Sequence, residues 1–69
     1  MSEYTVVIEK SPTGYSAYVP DLPGCVAAAK TVDETEALMR GAIRMHLEGM
    51  REDGETIPEP LTVARRIGP

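Results

Sequence analysis

One cysteine, one histidine and no tryptophan or phenylalanine leave this chain of 69 residues with few chemical tools. A lone Cys25 excludes an internal disulfide. Together with His46 it supplies at most two of the four ligands a structural zinc ion takes, so no metal is expected. The chain has no apolar run near the roughly 18 residues needed to span a bilayer. Its opening stretch Met1-Ser2-Glu3-Tyr4 carries no basic leader, and a solitary reduced thiol suits a reducing compartment, so a cytoplasmic protein off the membrane is expected.

Basic residues are also scarce. All eleven acidic side chains fall in residues 1–64, against Lys10, Lys30, Arg40, Arg44 and Arg51, which makes −6; Arg65 and Arg66 return the total to −4. Phosphate binding needs clustered cations, so direct nucleic-acid binding is not expected. A basic protein partner suits this charge, because opposite potentials steer association. Moderate acidity also serves plain solubility, and charge alone favours that plainer reading.

Length sets the next bound. A domain this small buries only about 60% of the surface that its unfolded chain exposes. With disulfide and metal set aside, oligomerisation or a bound protein is the expected source of extra burial.

Tyr4-Thr5-Val6-Val7-Ile8 reads as a strand, with Tyr4, Val6 and Ile8 on one face at period two. Ser11-Pro12-Thr13-Gly14 breaks it, and Tyr15 to Val19 predicts a second strand that completes an antiparallel hairpin. Pro20 ends that strand. Pro23-Gly24 fits the middle of a type II turn, whose third residue needs positive φ, and Cys25 to Lys30 predicts a short third strand.

Thr31-Val32-Asp33-Glu34 has the form of a capping box, and Asp33, Glu34 and Glu36 suit the positive end of a helix dipole. The helix should run from about Val32 to Asp53, with Gly54 as its C′ residue and Pro58 and Pro60 blocking a restart. Leu38, Met39, Ala42, Ile43, Met45, His46, Gly49 and Met50 share one side. That side spans about 160°, wider than the roughly 100° stripe that docks on one sheet, so one edge of the helix should meet something else. Glu36–Arg40 and Arg44–Glu48 are spaced for i,i+4 pairs. Leu61-Thr62-Val63-Ala64 could supply a fourth strand. The fold class expected is α+β: a small antiparallel sheet of three to four strands with one helix on one face, in the order β-β-β-α-β. A single helix leaves the second face bare, with Val7 and Tyr18 on it, and such patches mark contact surfaces.

No catalytic arrangement emerges. His46 sits on the apolar side of the helix, where a packed histidine with one hydrogen bond is the plainer reading. Cys25 lacks cationic neighbours in sequence and reads as a small hydrophobe. Asp21 reads as a turn residue and Asp33/Glu34 as caps rather than as metal ligands. Pro23-Gly24-Cys25 lacks the spacing and lysine of a phosphate loop, and Arg65-Arg66 is too short for a nucleic-acid patch. No catalytic or cofactor-binding residue is expected.

Tyr15 to Cys25 (YSAYVPDLPGC), followed by the capping box and by Glu52 to Pro60 (EDGETIPEP) after the helix, resembles the HicB-type antitoxins over residues 3–60. The resemblance implies a partial RNase H-like fold, without the carboxylate set of the true nucleases. It also implies a homo-oligomer, dimer or tetramer, that neutralises a small basic mRNA-cleaving toxin of the HicA type by covering its RNA-binding surface. Fuller members of the family carry a C-terminal DNA-binding domain that is not seen before Pro69, so direct transcriptional control is not expected of these residues. Tyr15, Tyr18, Asp21, Glu48 and Glu52 are the candidate partner contacts. The alternative is an orphan homo-oligomeric structural or regulatory domain without a toxin.

Overall fold

The computed structural model describes residues 3–69; Met1 and Ser2, part of the stretch read as lacking a leader, lie outside the described residues. Strands β1 (Val7–Ser11), β2 (Gly14–Tyr18) and β3 (Val26–Ala29) form one antiparallel sheet in the order β1-β2-β3, and helix α1 (Val32–Glu52) follows. The α+β reading holds, with three strands.

The register explains the packing. Ile8, Ala17 and Ala27 line up across the sheet on the helix side, while Val7, Tyr18 and Val26 line up on the opposite side. α1 packs chiefly on β3 and β2. Between the layers lie Ala17, Val19, Leu22, Cys25 and Met39, all buried, with Tyr4, Val6, Ile8, Ile43, Leu47 and Met50 packed around them.

The first strand begins later than expected. Residues 3–6 are not in the ladder, which runs from Val7↔Tyr18 to Ser11↔Gly14. The cause is the partner: β2 ends at Tyr18, where Pro20 turns the chain away, so nothing remains for residues 4–6 to pair with. Tyr4, Val6 and Ile8 nevertheless stay on the core side, as their period-two spacing predicts.

Gly14 serves the hairpin through size rather than conformation. Among the described residues no non-glycine residue has positive φ, so Pro12 and Thr13 form the loop at ordinary negative φ, and Gly14 is not among the positive-φ glycines. A Cβ on Gly14 would collide with the Ala29 carbonyl oxygen and lie 2.9 Å from Lys30 Cα. Here β3 passes too close for any side chain.

Two consecutive turns link β2 to β3. Leu22 N–H donates to the Val19 carbonyl at 3.0 Å, and Cys25 N–H to the Leu22 carbonyl at 3.1 Å. Gly24 at φ 85° gives the second turn the type II form expected of Pro23-Gly24. Their shared residue, Leu22, is driven inward until it is fully buried.

The helix ends are built locally. Thr31 Oγ1 accepts from Glu34 N–H at 3.1 Å, as a capping box requires, but Glu34 Oε1 accepts from the Thr31 hydroxyl at 3.0 Å rather than from its backbone. Buried Thr35 donates its hydroxyl to the Thr31 carbonyl at 2.7 Å. At the other end Asp53 is the C-cap, Gly54 has φ 72°, Gly54 N–H donates to Arg51 O and Glu55 N–H to Met50 O. These two bonds define a Schellman motif. Among the described residues Glu36–Arg40 is the one ion pair, at 2.7 Å and well exposed; the expected Arg44–Glu48 pair does not form. An exposed pair of this kind contributes little.

Leu61-Thr62-Val63-Ala64 does not form the expected fourth strand. Pro58 and Pro60 remove donors, and the Thr62 N–H is taken by Asp21 Oδ2 at 3.0 Å instead of by a ladder. The Thr62 hydroxyl donates to Asp21 Oδ1 at 2.8 Å, and the Thr62 carbonyl accepts from Thr5 Oγ1 at 2.7 Å. Tyr4 adds a hydrogen bond from its hydroxyl to the Pro58 carbonyl. Side chains thus tie the returning chain beside residues 4–5.

Three outcomes follow. Gly14→Ala should destabilise the fold by about 1–3 kcal/mol in urea unfolding, since the clash is with backbone that cannot turn aside; an unchanged midpoint would remove the close approach. Asp21→Ala strips Thr62 of two hydrogen bonds, a loss of about 1–3 kcal/mol, and should speed hydrogen exchange at Thr62. Burial pushes the Cys25 thiol up from its ordinary pKa. The folded chain therefore holds the thiol proton more tightly than the unfolded one, so this contribution is intact below the ordinary thiol range and fades as pH rises through it. Unfolding midpoints of wild type should fall above that range more than those of Cys25→Ala; parallel profiles would contradict it.

Candidate partner-binding surface

Strand pleating sends Val7, Tyr18 and Val26 to the bare side of the sheet, where the register sets them in one cross-strand row. Tyr18 is 43% exposed and Val26 64% exposed; Val7 is half-buried. Glu9, Ser16 and Ala28 form the next row, so one carboxylate borders the apolar patch. No helix of the described residues covers this side.

The five residues expected as contacts do not form one surface. Tyr18 lies at the centre of the bare face. Tyr15 is half-buried on the other face, opposite Lys10 and Ala29, and Lys10 Nζ lies 5.2 Å from its ring centroid. That distance is within reach of a cation–π contact. Asp21 is half-buried with both oxygens engaged by Thr62. Glu48 and Glu52 stand exposed on α1, in the other layer.

Val26 was missed by the sequence reading. Its signal was the alternation from buried Cys25 to exposed Val26, hidden by the featureless run of alanines behind it. The long-range tether between Asp21 and Thr62, 41 residues apart, carries no local signal at all.

The residues weighed for chemistry are placed as follows. Cys25 is buried, its Sγ 3.9 Å from Met39 Sδ. His46 is half-buried beside Pro23, Met45, Gly49 and Met50, and makes no hydrogen bond to a described residue, unlike the single bond expected. Among the described residues no three His, Cys, Asp or Glu side chains come together as a metal site would need. A groove of about 370 Å³ opens between α1 and the chain around β1, lined by Tyr4, Val6, Ile8, Met39 and Ile43 with the Glu36–Arg40 pair at its rim. It is the half-covered inner flank of the core. No helix of the described residues is long and apolar enough to cross a membrane.

Comparison with known proteins matches the sequence to a family. The chain is 45% identical over 64 residues to an uncharacterised 14.9 kDa protein from the rep–hol intergenic region of Haemophilus phage HP1. That stretch is 93% of this chain but 48% of the phage protein, so the chain spans about half the length of that relative. A UPF0150 protein of Thermoplasma acidophilum is 40% identical over 66 residues, covering 88% of this chain and 96% of the archaeal one. A UPF0150 protein of Archaeoglobus fulgidus is 43% identical over 58 residues, covering 80% and 84%. The profile of the HicB-like antitoxins of bacterial toxin–antitoxin systems matches residues 4–68, nearly the whole chain, and the protein belongs to that family.

Proposed function

We propose that this chain is the toxin-masking module of a type II toxin–antitoxin pair, and that it acts by occupying the RNA-binding surface of a small basic mRNA-cleaving toxin of the HicA type. The observation that carries the reading is the uncovered Val7–Tyr18–Val26 row in a member of an antitoxin family. Exposed aromatic and aliphatic groups side by side are what the centre of a protein interface needs.

Charge supports the choice of a basic partner. Glu9 borders the patch, and the body of the chain carries an acidic excess that steers a cation-rich protein toward it. Of the expected contacts, Tyr18 anchors the interface. Glu48 and Glu52 act at longer range through the field. Tyr15 and Asp21 act indirectly, by holding Lys10 and the returning chain in place.

We read the protein as non-enzymatic and cytoplasmic. A buried thiol with a raised pKa is a poor nucleophile, and among the described residues neither a metal cluster nor a general base with a partner accompanies it. The sheet-and-helix arrangement is consistent with the partial RNase H-like fold that the family resemblance implies, used as a scaffold. Direct DNA binding by these residues is not part of the reading.

The test is inhibition of RNA cleavage by a purified small basic toxin of the HicA type. Cleavage should fall in proportion to added antitoxin and stop near equivalence. Tyr18→Glu and Val26→Glu should each weaken inhibition by about tenfold or more, with helical circular dichroism unchanged because both side chains face solvent. Undiminished cleavage at a large excess of the wild-type chain would refute masking and leave the orphan homo-oligomer as the better reading.

A further inference from the structure

We infer that a hollow at the C-terminal end of α1 receives one arginine side chain of the toxin. This contact rests on the masking reading, because it gives the same partner a second point of attachment.

α1 is longer than the sheet it covers. β3 extends roughly 13 Å and α1 roughly 31 Å, so the last turns of the helix run on past the end of the sheet where β2 leaves for Pro20. There the helix and Pro23 enclose an open hollow of about 450 Å³, with Met45, His46 and Met50 on its walls.

The hollow comes from two residue choices that the fold does not require. In a Schellman motif an apolar residue at C″ commonly packs on the residues at C3 and C4. Here C″ is Glu55, whose N–H bonds to the carbonyl of Met50 at C3, and the residue at C4 is Gly49. An acid thus stands where a hydrophobe would close the helix end. The glycine leaves the wall open, for a Cβ on Gly49 would meet nothing within 4 Å. Glycine weakens a helix relative to alanine, and nothing within the chain asks for it here.

The chemistry of the hollow selects a long cation. Asp53 and Glu55 border it, and neither forms an ion pair among the described residues. The negative end of the helix dipole adds to their field, and Arg51 of the same last turn does not line the hollow. Among the described residues, His46, Asp53 and Glu55 do not converge as metal ligands would. Apolar walls bordered by carboxylates suit a side chain that is hydrocarbon for most of its length and charged at its tip. Of the two such residues arginine fits better. Its flat guanidinium stacks on a ring such as that of His46, and its forked donors serve two carboxylates at once.

Position selects the toxin as the donor of that arginine. The Val7–Tyr18–Val26 row is the last of the ladder at this same end of the sheet. Pro23 stands three residues before Val26, so no more than roughly 11 Å of chain separates the hollow from the patch. One basic protein seated on the patch reaches both, with its apolar groups on the row and a cationic side chain turned round the end of the sheet.

Binding kinetics of the full chain with a purified toxin of the HicA type test this. Asp53→Asn with Glu55→Gln, and Gly49→Leu alone, should each speed dissociation about tenfold or more, because each removes a contact made in the complex. Helical circular dichroism should stay unchanged, since all three positions are exposed in the free chain. Glu48→Gln with Glu52→Gln takes away the same charge outside the hollow; it should slow association and leave dissociation as in wild type. Replacing the toxin's arginines and lysines one at a time by alanine should identify one arginine whose effect on dissociation vanishes against the Asp53→Asn/Glu55→Gln chain. Coupling to a lysine instead, or to no side chain, overturns the inference. So does unchanged dissociation of the hollow variants while wild type still silences the toxin, an outcome that leaves masking standing. A wild-type chain that binds no toxin overturns masking and this contact together.

Discussion

A single 21-residue helix must supply the whole second layer for three strands, and it lies toward β2 and β3. That placement seats Met39 on Ala17, Val19, Leu22 and Cys25 and closes the core there. Everything farther out is less complete. Val6, just ahead of β1, and Ile8, within it, remain half-buried; the far flank of α1 carries Leu38 and Met45 in water; the other face of the sheet carries Tyr18 and Val26 in water. An apolar surface of this extent on so small a chain is area that association could bury.

Local chemistry was legible in the sequence wherever a few neighbouring residues decide the outcome. Pro23-Gly24 encodes a type II turn, Thr31 to Glu34 a helix start, and Gly54 a Schellman ending, and each is found at its own position. The bare face was half legible: period two put Val7 and Tyr18 there, whereas Val26 needed the register of β3. What sequence could not disclose depends on distant pairing. The ladder beginning at Val7 rather than Tyr4 follows from where β2 stops. Leu22 is the largest of the fully buried side chains, yet it stands between Asp21 and Pro23 in a stretch that reads as loop. The fourth strand fails because an aspartate 41 residues away captures the donor it needed.

The division of labour between charge and apolar surface bears on how such a domain chooses its partner. Field and contact are separated here: most carboxylates sit on α1 and in loops, while the Val7–Tyr18–Val26 row has only Glu9 beside it. Charge at a distance quickens encounter with a basic protein and fades with salt, whereas affinity comes from the apolar centre once water is expelled. On the proposed reading, specificity resides in the shape of the patch, which the registers of β1–β2 and β2–β3 fix and the loop charges do not.

The Asp21–Thr62 tether gives this arrangement its remaining rigidity. The turn that carries Asp21 also drives Leu22 into the core, so the return segment, the β2–β3 connection and the helix contact are fastened at one place. A partner that binds only the folded chain deepens its stability by mass action, and the gain is proportionally largest where the unbound margin is thin. A partner that seats on Val7, Tyr18 and Val26 therefore does more than cover a surface: it selects the register that lines up the three residues, and with it the turns and the tether at the end of the hairpin.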